Sequence, residues 1–279
     1  MAQSPFEFNG RVALVTGCGS AEGIGFAAAR MLSQLGAGVA ITSTTTDRIE
    51  AREEELRAED AGVFARAADL TDRDQVFELV AAAQAALGPL DVLVNAAGMV
   101  QTGVEPVSAR FGELTPQALE RELDITLKTA FHTTQAVLPS MVGRRYGRIV
   151  MVSSVTGPFV TAPGSTAYAT AKAAMDGMMR TIALEYGRSG ITANSVAPGW
   201  IATASSTPDE LEAGRHTPVG RPGTADEVAS LIAYLASEQA GYVTGQSVVV
   251  DGGNMIQEPH GIELYDPALR GAAAPAAGY

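Results

Sequence analysis

Tyr168 and Lys172 stand four residues apart in the helical run Ala167–Tyr186, so phenol and ammonium share one helix face a turn apart. A tyrosine with its ordinary pKa of about 10 exchanges protons poorly at neutral pH. A neighbouring ammonium favours the phenolate and lowers that value, which gives the pair its chemical use. Upstream, Ser153 and Ser154 close the apolar run Arg148–Ser153. A hydroxyl at the carboxyl end of a strand can hydrogen-bond a substrate carbonyl and hold it against Tyr168 for protonation. Tyr-x-x-x-Lys alone also describes many exposed pairs. Its weight here comes from chain order, because it follows a glycine-rich turn, then Asn95-Ala96-Ala97-Gly98, then the serine-ended run.

The glycine turn reads Thr16-Gly17-Cys18-Gly19-Ser20-Ala21-Glu22-Gly23-Ile24-Gly25 between a strand and a helix. Bare amides at a helix N-terminus can approach a pyrophosphate, which makes Gly17, Ser20, Gly23 and Ile24 nucleotide-binding candidates. A strict G-x-G-x-x-G fails because Glu22 stands three residues after Gly19, and a purely structural turn is the plain alternative. Asp69 and Leu70 end the third strand, where a carboxylate can accept the adenine amino group; Asp69 could instead cap the helix that follows. Asn95, Ala96 and Gly98 end the fourth, where small residues admit a flat ligand or simply pack tightly. At the end of the second strand, an acid would bind the ribose 2′-hydroxyl of NAD. Ser43 and Thr44 stand there, no acid appears until Asp47, and Arg48 is available to a 2′-phosphate. NADP(H) is therefore expected over NAD(H), with Glu22 adding an opposing negative charge nearby.

These residues must be positioned by short β-branched runs alternating with helices. Strands are expected at Arg11–Thr16, Val39–Ser43, Val63–Ala65, Val92–Asn95, Arg148–Ser153, Thr192–Ala197 and Ser247–Val250. Helices are expected at Gly23–Leu35, Arg48–Ala58, Asp72–Ala86, Pro116–Met141, Ala167–Tyr186 and Ala225–Leu235. This is the pattern of a single α/β domain, a doubly wound (Rossmann) fold of about seven parallel strands with helices on both faces. Residues 1–255 form that domain and 256–279 a C-terminal tail, its Ala/Pro/Gly end disordered in composition. Two long connections, Met99–Leu114 and Ala202–Gly223, leave carboxyl ends of strands and are expected to wall a pocket. Val155, Phe159, Val160, Met99, Val100, Trp200 and Ile201 suggest an apolar pocket, though aromatic residues at such places serve core packing equally well.

With a net charge of -12, nucleic acid and anionic membranes are repelled as main partners. One cysteine excludes an intrachain disulfide framework, and three histidines without ligand spacing suggest no metal site. Met1–Gly10 lacks the features of a signal peptide, and no apolar run approaches a membrane span, so a cytoplasmic protein is expected.

Taken in register, these motifs resemble the short-chain dehydrogenase/reductase family over about Phe8 to Met255, with the 3-oxoacyl-carrier-protein reductase branch nearest in look. The resemblance implies hydride transfer between a nicotinamide cofactor and a ketone or secondary alcohol. It implies that Tyr168 is the general acid–base, that Lys172 binds the nicotinamide ribose and lowers the tyrosine pKa, and that Ser154 orients the carbonyl. Pro198, Gly199, Ile201 and Thr203 match the segment holding the nicotinamide carboxamide, and Val250-Asp251-Gly252-Gly253 matches the closing strand. A homotetramer is implied too, in which the tail could close a neighbouring subunit's pocket.

Four departures stand out. Five residues, where three are usual, separate Gly17 from Gly23-Ile24-Gly25. Ser154 precedes Tyr168 by fourteen, one more than is common, which keeps Ser153 in play. Thr126 occupies the place of an asparagine that anchors a proton-relay water, and Met99–Leu114 is longer than usual. An enoyl reductase spaces its tyrosine and lysine more widely, and a nucleotide-sugar epimerase needs a larger C-terminal domain. A nucleotide-binding regulator that kept the fold and lost turnover is the alternative from another class.

Overall fold

A computed structural model describes residues 6–58, 62–98 and 107–257. Met99, Val100, most of the first long connection and the tail beyond 257 lie outside the described residues.

The strands are β1 (Val12–Val15), β2 (Gly38–Ser43), β3 (Val63–Ala67), β4 (Val92–Asn95), β5 (Gly147–Val152), β6 (Ile191–Pro198) and β7 (Ser247–Val250). They form one sheet in the order β3-β2-β1-β4-β5-β6-β7, and every pairing is parallel. The helices between them are α1 (Ile24–Gln34), α2 (Thr46–Arg57), α3 (Arg73–Leu87), α4 (Pro116–Glu122), α5 (Thr129–Arg144), α6 (Thr166–Tyr186), α7 (Pro208–Arg215) and α8 (Ala225–Ala236). A parallel sheet needs crossover helices on its faces, so its central strands are buried at every position rather than at every second one. The alternation still sorts side chains between faces. Val15, Ile41, Val94 and Val150 pack with Phe26 and Leu32 of α1, Ile49 of α2 and Ile232 of α8. Leu14, Leu93, Ile149 and Met151 turn the other way, onto Val80 of α3, Met141 of α5 and Met175 and Met179 of α6.

All seven strands appear, with ends displaced by no more than two residues from expectation. The stretch expected as one helix over Pro116–Met141 is helical throughout and runs on to Arg144, but its hydrogen-bond register changes within it. A π-turn, Leu123–Lys128, interrupts it between α4 and α5. Threonine hydroxyls crowd this stretch: Thr126 Oγ1 donates to Glu122 Oε1 at 2.7 Å and Thr129 Oγ1 to Ile125 O at 3.0 Å. A hydroxyl bond to a helix carbonyl competes with the regular ladder, and single π-turns accompany functional positions; apolar periodicity does not register either effect. The second long connection carries α7, capped by a reciprocal Thr207/Glu210 box, and a two-stranded pairing of Ile201–Ala202 with Gly223–Thr224.

Strand order reverses between β1 and β4, and the carboxyl ends of β1, β4, β5 and β6 open on one edge, where an α/β sheet binds ligands. Close approach at that edge depends on Gly25. A Cβ there would lie 2.6 Å from Gly17 O and 2.8 Å from Thr16 O, both backbone atoms. Gly25→Ala is expected to lower stability by about 2 kcal/mol through this overpacking; a wild-type midpoint in urea unfolding would contradict it.

Candidate active site

A cleft of about 800 Å³ runs along this edge. At one end lie Gly17, Ser20, Gly23 and Ile24, then Ser43, Thr44 and Arg48, then Asp69 and Leu70, then Ala96 and Gly98. Thr16 holds this end together, because its Oγ1 accepts from both Ala96 N and Ala97 N at 3.0 Å and so ties the β4 loop to the glycine turn. At Gly17, φ is 72° and a Cβ would sit 2.6 Å from Ala96 O, so only glycine fits. The glycine turn, two residues longer than usual, is pinned to β2 and to α2. Cys18 N donates to Thr42 O at 3.0 Å, and Arg48 Nε donates to Gly19 O at 3.0 Å. No side chain caps α1 at Gly23, which leaves its first amides suited to an anion.

Two candidates behave differently from their neighbours. Asn95 does not line the cleft. It is buried, its Oδ1 accepts from Thr133 Oγ1 at 2.6 Å, and its Nδ2 donates to Thr134 Oγ1 at 3.2 Å, so its amide ties β4 to α5. Asp69 lines the cleft without capping α3: its Oδ1 accepts from Thr71 N and Oγ1 at 2.9 and 2.7 Å, while Asp72 takes the cap.

At the other end, Ser153, Ser154, Tyr168 and Lys172 meet Pro198, Gly199, Ile201 and Thr203. Ser154 Oγ accepts from Thr156 N at 3.0 Å and stands near enough to the Tyr168 phenol to lower its pKa. The Ser153 hydroxyl turns to Lys172 O at 3.5 Å, so Ser154 is the serine aimed at the tyrosine. Lys172 Nζ donates to Val152 O at 2.7 Å and lies 5.6 Å from the centre of the Tyr168 ring.

The expected lowering of the tyrosine pKa is reversed here. Burial pushes the Tyr168 phenol up to about 12, the Ser154 hydroxyl pulls it back, and Glu122 and Glu210 push it further up, although part of its surface opens on the cleft. Burial lowers Lys172 to about 8, and Glu122 and Asp176 oppose that change. A protonated phenol beside an ammonium at neutral pH is an arrangement for proton donation.

Thr126 is fully buried outside the cleft lining, behind Gly98, and donates to Glu122 Oε1 at 2.7 Å. Sequence reasoning missed Glu122, which reads as an ordinary charge on a helix; its place four residues before Thr126 was the one available signal. It also missed Thr16. Of the expected pocket walls, Val155, Val160, Trp200 and Ile201 line the cleft and Phe159 does not. Thr156, Ser205, Ser206, Glu210 and Gln257 join them and make the wall mixed rather than apolar.

Among the described residues no cluster of potential metal ligands occurs, and no helix is long and apolar enough to cross a membrane. A family model described as enoyl-(acyl carrier protein) reductase matches residues 17–254. The oxidoreductase UcpA of Salmonella typhimurium is 37% identical over 264 residues, covering 90% of this chain and 97% of its own. The 3-oxoacyl-(acyl-carrier-protein) reductase FabG of Thermotoga maritima is 37% identical over 252 residues, 88% of this chain and 98% of its own. The solved short-chain dehydrogenase/reductase of Serratia marcescens superposes with a TM-score of 0.80 at 32% identity, over 90% of this chain and all of that one.

The Thr16 anchor is open to direct test. In Thr16→Val, amide exchange at Ala96 and Ala97 is expected to quicken by roughly tenfold or more, since an orphaned buried donor costs about 1–3 kcal/mol. Unchanged exchange at both amides would remove Thr16 from this role.

Proposed function

Because the chain belongs to the short-chain dehydrogenase/reductase family and is an oxidoreductase that moves a hydride between a nicotinamide cofactor and a ketone or secondary alcohol, we propose that Ser154, Tyr168 and Lys172 perform its chemistry. The observation carrying this reading is the convergence of the three on one cleft with the glycine turn. When bound, the nicotinamide supplies or accepts the hydride.

The chain supplies orientation and a proton. Ser154 Oγ already accepts from Thr156 N, which directs its own proton outward to a carbonyl oxygen. Tyr168 donates its phenolic proton to the same oxygen as negative charge builds there. Lys172, fixed to Val152 O, holds the ammonium beside the phenol and would hold the ribose hydroxyls of a bound nicotinamide nucleotide. Oxidation of an alcohol runs the same contacts in reverse. Two hydroxyls aimed at one oxygen suit a carbonyl better than the carbon–carbon double bond in the family model's description. All three groups remain in place, so nothing in the site favours a regulator without turnover.

Gly17, Ser20, Gly23 and Ile24 fit the pyrophosphate, Asp69 and Leu70 the adenine, and Ala96 and Gly98 the flat passage between the two ends. Pro198, Gly199, Ile201 and Thr203 fit the carboxamide. Ser43, Thr44 and Arg48 line the cleft beside β2, while neither Asp47 nor Glu22 does, which favours NADP(H) over NAD(H). The substrate is a small-molecule carbonyl or alcohol of the ketone or 3-oxoacyl type. Residues 1–255 serve as the catalytic domain of a cytoplasmic homotetramer, with 256–279 as a tail toward a neighbour.

Tyr168→Phe is expected to cut turnover by roughly 10²–10⁴-fold with nucleotide affinity nearly intact by fluorescence titration. Ser154→Ala should follow it in direction and Ser153→Ala should not. A fully active Tyr168→Phe enzyme would sink the mechanism. For the cofactor, kcat/KM on one ketone should be higher with NADPH than NADH, and Arg48→Gln should narrow that gap; a clear NADH preference in the wild type reverses the assignment.

A further inference from the structure

Glu122 is an acidic side chain that the catalytic account above leaves unused although it is buried beside the catalytic pair. It is 3% exposed, at the end of α4 where the π-turn begins. A carboxyl this deep is costly unless it is hydrogen-bonded and faces opposite charge. Thr126, four residues on, supplies the hydrogen bond. The charge is supplied across the packing of α4 and the π-turn on α6, where Lys172 is itself only 5% exposed. Where the family resemblance implies an asparagine and its neutral amide, this chain therefore has a threonine that donates a hydrogen bond to a buried carboxyl group.

We infer that Glu122, pinned by Thr126 in the π-turn, is a positioning residue for the reaction, its carboxylate facing the Lys172 ammonium from behind the cleft and keeping it charged and seated beside Tyr168. Lys172 donates to Val152 O, a neutral acceptor that leaves the ammonium's charge uncompensated. Asp176, one turn farther along α6, is buried as well, and neither of its oxygens has a hydrogen-bond partner among the described residues. The charged and titratable groups around Lys172 are thus Tyr168 and Asp176 on its own helix and Glu122 from the π-turn side. Strand β5 contributes a carbonyl, and Glu210 of α7 acts on Tyr168. Glu122 opposes the loss of the Lys172 proton and also opposes ionisation of Tyr168. Removing its charge moves both groups toward lower pH, so the two effects reinforce each other.

The consequence for turnover rests on the hydride-transfer reading, but the electrostatic coupling does not. The chain contains two lysines, Lys128 and Lys172, and Lys128 is exposed and paired with Asp124. Lysine labelled with ¹³C at Cε therefore gives two NMR signals, with Lys128 as an internal reference. In the wild type Lys172 is expected to titrate near pH 8. In Glu122→Gln, which keeps an acceptor for Thr126, its midpoint should fall by about 1 pH unit, and the alkaline limb of kcat/KM should fall with it. Glu122→Asp, with the charge one methylene farther away, should lie between the two and carries the test if Glu122→Gln does not fold. An identical Lys172 midpoint in wild type and variant overturns the inference. The titration needs no turnover, so a chain that moved no hydride would sink the reading of function while this inference stood or fell on the lysine signal.

Discussion

The Lys172 ammonium donates to Val152 O at 2.7 Å from a position almost wholly out of water. That bond joins α6 to the carboxyl end of β5, and the rest of the site takes its coordinates from it. The apolar face of α6, with Met175, Met179 and Ile182 packed on the sheet, sets the helix rotation, and Tyr168 one turn before Lys172 faces the same end of the cleft as Ser154. A desolvated ammonium is unfavourable by itself, so its surroundings must compensate. Here they do so in part, with a backbone carbonyl and with two buried carboxyls, Glu122 and Asp176, that oppose the lowering caused by burial.

The opposite end of the cleft is governed by contact distance rather than charge. Gly17 and Gly25 leave no room for a Cβ against the backbone of β4's loop and of the turn itself. Thr16 adds two hydrogen bonds across the same gap. These constraints place a helix N-terminus at the switch point of the sheet, the location at which an α/β fold can bind a dinucleotide. The proton-transfer groups and the nucleotide cradle are built by different physics and meet because strands β1, β4, β5 and β6 end on the same edge.

Sequence and structure agree where local chemistry decides and part where a side chain has two possible partners. Asn95 was expected in the cleft because it precedes two alanines and a glycine, yet α5 offers Thr133 and Thr134 as hydrogen-bond partners and the amide turns inward. Ser153 and Ser154 are indistinguishable as adjacent hydroxyls. Just past the end of β5 the chain carries one toward the backbone of α6 and the other toward Tyr168. The tyrosine pKa moves opposite to the expectation drawn from its neighbour, because burial, aided by Glu122 and Glu210, outweighs the lowering influence of Ser154. Glu122 stayed invisible because burial of a helical glutamate depends on the helix packed against it, not on its own spacing.

From residue types and spacing alone, the seven strands, most of the helices, the glycine turn and the Tyr168–Lys172 pair were already determined, since each depends on backbone preferences or contacts within a few residues. Tertiary structure alone decided which serine meets the tyrosine, which side Asn95 faces, the π-turn at Thr126, and the anion behind Lys172. Each of those is settled by the competition of partners distant in the chain for a single hydrogen bond or charge, and that competition exists only once β4, β5, α5 and α6 are packed together.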